Sequence, residues 1–416
     1  MILLRCYAKI TDWVYELFNH ASYADFRFLP IYSYGFWVAV GFFAAASLAA
    51  ADMKRREKLG LLSGQVKEIT IGAPVNWGEL AMYFAFAFIV MFKLIGIFTY
   101  HSMLAGYNPQ LPFGEYILGY GITIPQKIAT FFTFGSWVGG ILGGVGLAGY
   151  YYYTTKKQQL EVPKVEKLTV YPSDNIGDLV VIAAVLGVLG SVLFNFIESD
   201  DSINRFMQDP VGFLTSGLSI YGGLICAGIG FGVYAYVKKM NILQFFDSVA
   251  PGYMLANGIG RLGCQMAGDG DWGVTNLAPK PGWMPQWLWA DYYSHNIINE
   301  GLQLKNCVGE HCTRLKFPAY PTPIYEFLMC TAVFLILWSL RKKLTYKPGM
   351  IFTLFMVMVG IQRYAIEQWR DLSGRELYHI AGGVFKQSEL ISIVLFILGI
   401  IGTVYLYRRY TQPKHT

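Results

Sequence analysis

Residues 178–197 read Asp178-Leu-Val-Val-Ile-Ala-Ala-Val-Leu-Gly-Val-Leu-Gly-Ser-Val-Leu-Phe-Asn-Phe-Ile197. An apolar run of about 20 residues is the length an α-helix needs to cross a bilayer. Eight further runs of this kind cover 31–51, 77–100, 129–153, 218–237, 243–266, 322–340, 349–368 and 389–408. The weakest is 243–266, which Asn257, Arg261 and several glycines interrupt. No stretch alternates in the manner of an outer-membrane barrel. The expected fold is therefore all-α, a polytopic membrane bundle of about nine helices.

Composition agrees. Of 416 residues, 54% are hydrophobic, 16% aromatic and 14% charged, where a soluble domain carries roughly 25% charged residues. Disorder, collagen, coiled coil and a disulfide scaffold are excluded. A soluble chain of this length would form roughly two or three domains, and too few polar residues exist to cover them. The 45 glycines suit helices that pack closely in lipid. A net charge of +6 raises nucleic acid as a partner. The basic residues argue against it, because they sit in short clusters between apolar runs and form no continuous face.

Those clusters orient the bundle. Lys54-Arg55-Arg56-Glu57-Lys58, Lys156-Lys157, Lys238-Lys239, Arg341-Lys342-Lys343 and Arg408-Arg409 follow alternate runs. Loops on that side hold 18 Lys and Arg in about 70 residues, against 12 in about 150 on the other. The basic side is expected to be cytoplasmic, with the N-terminus outside and the C-terminus inside. Met1 to His20 has neither a sustained apolar run nor a small-residue cleavage site, so no signal peptide is expected. The polar stretch 154–176 reads as a cytoplasmic linker. The expected organisation is 1–54, an N-terminal segment with the first span; 55–176, a two-span region ending in the linker; and 177–416, a core that includes an outer loop at 267–321.

Cys226, Cys264 and Cys330 fall in or beside spans, where a thiol is ordinarily a small apolar residue. Cys307 and Cys312 lie in the outer loop, as Asn306-Cys-Val-Gly-Glu-His-Cys312. An oxidising compartment permits a disulfide between them. Free thiols are the alternative, and a metal would need more ligands than His311 supplies.

Ionisable residues within spans are costly and default to functional candidates. Lys93 stands alone in its run, and either snorkels or pairs with Glu79. Arg261 lies in Asn257-Gly-Ile-Gly-Arg-Leu-Gly-Cys-Gln-Met-Ala-Gly-Asp-Gly-Asp-Trp-Gly273. So many glycines let backbone approach a ligand, and a helix broken at membrane depth must line a cavity or be buried in protein. A nucleotide-loop reading fails, for want of Gly-Lys-Ser/Thr and a preceding strand. The plain alternative is a kinked packing helix, with Arg261 paired to Asp269 or Asp271. Arg363 opens Arg363-Tyr-Ala-Ile-Glu-Gln-Trp-Arg370, where Arg363 and Glu367 share a helix face. Arg370 is expected at the interface. Gly217-Leu-Ser-Ile-Tyr-Gly-Gly-Leu224 opens one span and Tyr320-Pro-Thr-Pro-Ile-Tyr-Glu326 another. Tyr34 and Tyr325 would otherwise read as an interfacial aromatic belt.

Taken in order, these segments resemble the prolipoprotein diacylglyceryl transferase family. Gly260-Arg261-Leu-Gly263, followed by Gly268 and by Asp269 or Asp271, is similar to that family's Gly-Arg-x-Gly-Asn-Phe-x-Asn-Gly-Glu-x-x-Gly. The Tyr221-Gly222-Gly223 segment resembles its Gly-x-Ser-x-His-Gly-Gly-Leu, and Tyr320 to Glu326 its His-Pro-Ser-Gln-Leu-Tyr-Glu. Arg363 to Arg370 resembles its Arg-Phe-x-x-Glu-x-x-Arg, and Gln387-Ser-Glu-Leu-Ile-Ser392 its Gly-Gln-x-x-Ser. Asp247-Ser-Val-Ala-Pro251 and Tyr34-Gly35 also look like the family. The likeness covers about 25–50 and 176–410, which leaves 55–176 as an insertion into a seven-span plan. Here Tyr221 and Tyr320 stand for the family's histidines, Cys264 for an asparagine, and the acidic position is shifted or doubled as Asp269 and Asp271.

The resemblance implies an enzyme of the bacterial cytoplasmic (inner) membrane. It would transfer the diacylglyceryl group of phosphatidylglycerol to the lipobox cysteine of a prolipoprotein signal peptide, forming a thioether and releasing glycerol 1-phosphate. It implies no cofactor and no metal. The leaving phosphate needs fixed positive charge, which arginine supplies as a planar fork, and the thiol must lose its proton. Arg261, Arg363 and Tyr221 are the expected catalytic residues. Arg261, Tyr34, Gly222, Gly223, Gly268, Asp269, Asp271, Tyr325, Glu326 and Glu367 are the expected substrate-binding ones. Tyrosine, with an ordinary pKa of about 10, is a poor base at neutral pH. Tyr221 then either has its pKa lowered by the arginines or only orients the phosphate. Asp269, Asp271, Glu326 and Glu367 are the other candidate proton acceptors. The rival readings are an inactive relative that binds lipid or signal peptides, and a multispan transporter. The latter predicts internal repeats, and none is visible.

Overall fold

The computed structural model describes residues 32–107, 135–198, 202–208, 219–305, 307, 311–370, 377–380 and 383–411. In chain order its elements are α1 (Ser33–Lys58), β1 (Gln65–Ile71), α2 (Trp77–Tyr107), α3 (Trp137–Gln158), β2 (Lys164–Val170), a 3₁₀ turn (Pro172–Asn175), α4 (Ile176–Glu198), α5 (Ser202–Gln208), α6 (Ile220–Val237) and α7 (Ile242–Ala267). Then come α8 (Gln286–Trp289), β3 (Leu302–Gln303), β4 (Thr313–Arg314), α9 (Thr322–Leu340), α10 (Met350–Glu367), β5 (Leu377–Ile380), β6 (Gly383–Lys386) and α11 (Gln387–Thr411). The strands form three two-stranded sheets, β1 with β2, β3 with β4 and β5 with β6. Among the described residues, six helices are long and apolar enough to cross a membrane: α1, α2, α4, α9, α10 and α11. The apolar stretch Tyr221–Val237 of α6 is shorter.

The chain divides into two compact units. Among the described residues, one unit comprises 32–65 and everything from 170 onward, and the other lies between 66 and 169. In the second, α2 and α3 pack through glycines. A Cβ at Gly140 or Gly144 would meet the ring of Phe88 or Phe84 at 2.8 and 2.7 Å. The expected pairing of Lys93 with Glu79 is not what forms there. Glu79 accepts from Tyr151 Oη at 2.8 Å and from Asn76 Nδ2 at 3.2 Å. Lys93 is buried beside the Phe92 ring, with its Nζ 5.6 Å from the centroid.

In the first unit, α7 is the centre. Its start is capped by Asn241, whose side chain accepts from Gln244 N–H at 3.2 Å, which satisfies one orphan donor of the first turn. Contrary to the expectation of a broken helix, it runs unbroken through Pro251, Asn257 and Arg261 to a left-handed Gly268. The glycines serve contact instead of breakage. A Cβ at Gly252 would lie 2.9 Å from the Ala45 carbonyl of α1, and one at Gly258 2.9 Å from Cys330 Cβ of α9. In lipid, apolar burial gains little between helices, so such close packing and polar pairs carry association. Met254, Cys330, Val333, Phe334, Leu337 and Ile351 form the apolar centre between α7, α9 and α10.

A buried ionic cluster closes one end of this unit. Asp52 receives Arg55 at 2.9 Å, Arg56 at 2.7 Å and Arg341 at 3.3 Å. Arg56, wholly buried, also donates to Gln244 and lies 3.8 Å from Asp247. Asp247 in turn accepts from the N–H groups of Gly349 and Phe352 at 2.8 and 2.9 Å. It thereby caps α10 from another helix and satisfies donors that would otherwise be orphaned. Asp247 is thus a fold-holding residue.

Candidate functional site

The other end of the same unit gathers the starts of α1, α6 and α9 and the ends of α7 and α10. Arg261 lies two turns from the end of α7, Glu326 in the second turn of α9, and Arg363 and Glu367 in the last two turns of α10. Three side chains far apart in sequence converge on Glu326. Arg261 Nε and Arg370 Nη2 pair with it, and Arg363 Nη1 lies 3.2 Å away. Asp271 bridges two of the same arginines, pairing with Arg261 Nη1 and with Arg370 Nη1 at 2.9 Å. Glu367 lies 3.6 Å from Arg363 Nη2 and 3.7 Å from Lys386 Nζ. Among the described residues, four cations therefore face three carboxylates in one largely buried group. Thr322 Oγ1 donates to the Asp271 carbonyl at 2.6 Å and ties the loop after α7 to the start of α9.

Arg370 was expected at the interface and is instead 3% exposed within this cluster. It lies beyond the end of α10, where its backbone bridges to Gly273, so helical spacing does not place it. Lys386 joins from the strand before α11, a contact no local pattern foretells.

The remaining expected residues divide. Tyr34, 42% exposed, starts α1 with its backbone against Gly263, where a Cβ would lie 3.2 Å from Tyr34 Cα. Its ring is near enough to feel Cys264, Asp269, Arg261 and Asp271 electrostatically. Tyr221 interacts electrostatically with Arg363, and among the described residues its buried hydroxyl finds no hydrogen-bond partner. Gly268 (φ 62°) turns the chain out of α7, a conformation that a side chain resists. It is followed by Asp269, whose Oδ1 accepts from Asp271 N–H at 3.3 Å. Burial, reinforced by the Asp271 charge, raises the pKa of the Asp269 carboxyl above its ordinary value. Cys264 Sγ lies 3.9 Å from Arg261 Nη1.

Three of the expected residues make packing or anchoring contacts. A Cβ on Gly222 would lie 2.4 Å from the Gly190 carbonyl, and one on Gly223 2.7 Å from that of Gly187, so these two glycines let α6 lie against α4. Tyr325 Oη donates to the Leu288 carbonyl at 2.7 Å and anchors the loop. That loop has its own small core of Trp272, Tyr293, Leu315 and Ala319, and Cys307 and Cys312 are joined in a disulfide. Tyr320 packs edge-on against Trp289 and Trp369.

A largely buried set of forked cations, held in place by carboxylates, has the donor geometry that could take a phosphate ester. Residues 162–405 match the family model described as prolipoprotein diacylglyceryl transferase. Among curated proteins, the chain is 29% identical over 256 residues to the phosphatidylglycerol–prolipoprotein diacylglyceryl transferase of Streptococcus uberis, covering 61% of this chain and 86% of the relative. It is 28% identical over 243 residues to the enzyme of that name from Streptococcus agalactiae, covering 58% and 82%. The one from Clostridioides difficile is 25% identical over 236 residues, covering 57% and 80%. The chain belongs to the prolipoprotein diacylglyceryl transferase family.

Proposed function

We infer that this chain transfers the diacylglyceryl group of phosphatidylglycerol to the lipobox cysteine thiol of prolipoproteins, forming a thioether and releasing glycerol 1-phosphate. The observation that carries it is the arginine–carboxylate cluster, whose members lie inside the region that matches the family. Arg261 and Arg363 bind the phosphate and neutralise the charge that grows as the C–O bond breaks. Glu326, Asp271 and Glu367 hold the guanidinium groups in position. The Tyr221 hydroxyl donates to a phosphate oxygen, which would give that buried group a partner it does not find among the described residues. Tyr34 borders the entry for the thiol. In cells depleted of their own transferase, this chain is expected to restore lipoprotein maturation, and Tyr221→Phe to restore it poorly. Failure of the parent chain, when expressed and inserted, would refute the reading.

The working site is the bacterial cytoplasmic membrane, with the arginine end of the bundle at the outer leaflet. Nine spans place the N-terminus outside and the C-terminus inside, as the alternating basic loops favour. Reporter fusions at residues 160 and 415 are expected to mark the same, cytoplasmic face. Opposite faces would contradict nine spans. Residues 55–176 are proposed as an insertion that supplies no catalytic group.

A further inference from the structure

The transfer requires a proton acceptor, and the histidine that the resemblance leads one to expect is Tyr221 here. Four carboxylates stand near the clamp. Asp271, Glu326 and Glu367 have oxygens already engaged by guanidinium or ammonium groups. Asp269 differs, because among the described residues no salt bridge reaches it. It is half-buried and lies between two left-handed glycines, Gly268 (φ 62°) and Gly270 (φ 94°), at the turn that leaves α7. Its carboxylate, the Asp271 carboxylate and Cys264 Sγ offer atoms all within 4.8 Å of one another. Asp271 in turn holds Arg261. The Asp269 carboxylate, which accepts from Asp271 N–H and has the Cys264 thiol beside it, thus sits one side chain away from the group that grips the phosphate.

We propose that Asp269 is the proton acceptor for the incoming lipobox thiol. The sulfur lone pair forms the S–C bond to the glycerol carbon as the S–H proton passes to the Asp269 carboxylate. The C–O electron pair leaves with the phosphate, which takes the proton on departure as glycerol 1-phosphate, returning Asp269 to its starting state. The groups facing Asp269 are Cys264 and Arg261 from α7, Asp271 from its own turn and Tyr34 from α1.

The assignment rests on the transferase reading, so the test uses two peptides, one with the lipobox cysteine and one with selenocysteine there. A selenol is already ionised at neutral pH and needs no base. With the parent protein in phosphatidylglycerol vesicles, both are expected to be alkylated; alkylation of neither overturns the transferase reading itself. Asp269→Asn is expected to slow the cysteine peptide about 100-fold at pH 7, as loss of a general base does. Its rate should climb as pH approaches the thiol value of about 8.5. The selenocysteine peptide should stay within a few-fold of the parent rate. Asp269→Glu should keep part of the cysteine activity. An unchanged cysteine rate, or equal losses with both peptides, overturns the assignment. Should Asp269→Asn not fold, the parent's pH profile decides. A cysteine-peptide rate that levels off well below the thiol value of about 8.5 supports it, and a rate that keeps climbing up to that value refutes it.

Discussion

Glu326→Gln is expected to abolish transfer and to destabilise the folded protein together. Glu326 is 1% exposed and pairs with three guanidinium groups, on Arg261, Arg363 and Arg370. Removing one partner from a buried ion pair costs about 3–5 kcal/mol, because the other charge stays buried and uncompensated. Here three cations are left with Asp271 and Glu367 alone. Thermal unfolding in detergent should fall by several degrees or more, and transfer should fall by at least about 100-fold through the lost aim of the arginines. Glu326→Asp keeps the charge but shortens the reach, so it should be intermediate in both. An unfolding temperature equal to the parent's would show that Glu326 is not the hub.

Arg261→Ala and Arg363→Ala should each lower transfer by about 100-fold or more. A charge-assisted hydrogen bond is worth roughly 1.5–3 kcal/mol, a factor of about 10 to 150, and more where charge develops in a dry site. The two should differ in stability. Arg261 holds both Glu326 and Asp271, whereas Arg363 holds Glu326 and the neighbouring turn's Glu367. Lysine should rescue either poorly, since a point charge cannot reproduce the fork that spans two acceptors.

Periodicity and composition reveal which segments are helical and which residues share a face, and they did so here. The nine apolar runs all overlap helices of 18 residues or more among the described residues. What they omit is the partner across space. The pairings of residue 261 with 326 and of 370 with 271 follow from how α7, α9 and α10 pack, and nothing local specifies them. Arg370 looked interfacial because it follows the last apolar turn, and it reaches the clamp from beyond the end of α10, where its backbone bridges to Gly273. Gly222, Gly223 and Tyr325 sit in motif-like segments, and their neighbours, α4 and the Leu288 carbonyl, explain them as packing and anchoring residues. The glycines around Arg261 suggested a broken helix. Backbone contact with α1 and α9 accounts for two of them while α7 stays whole.

The most direct measurement follows purified chain in phosphatidylglycerol vesicles with a lipobox peptide, detecting the diacylglyceryl thioether by mass and the released glycerol phosphate in equal amount. The parent should form both products one for one, and folded Arg261→Ala should form them at about a hundredth of that rate or less. Equal rates from parent and Arg261→Ala, or products from neither alkylation nor phosphate release in the folded parent, would contradict a transferase working through the arginine clamp.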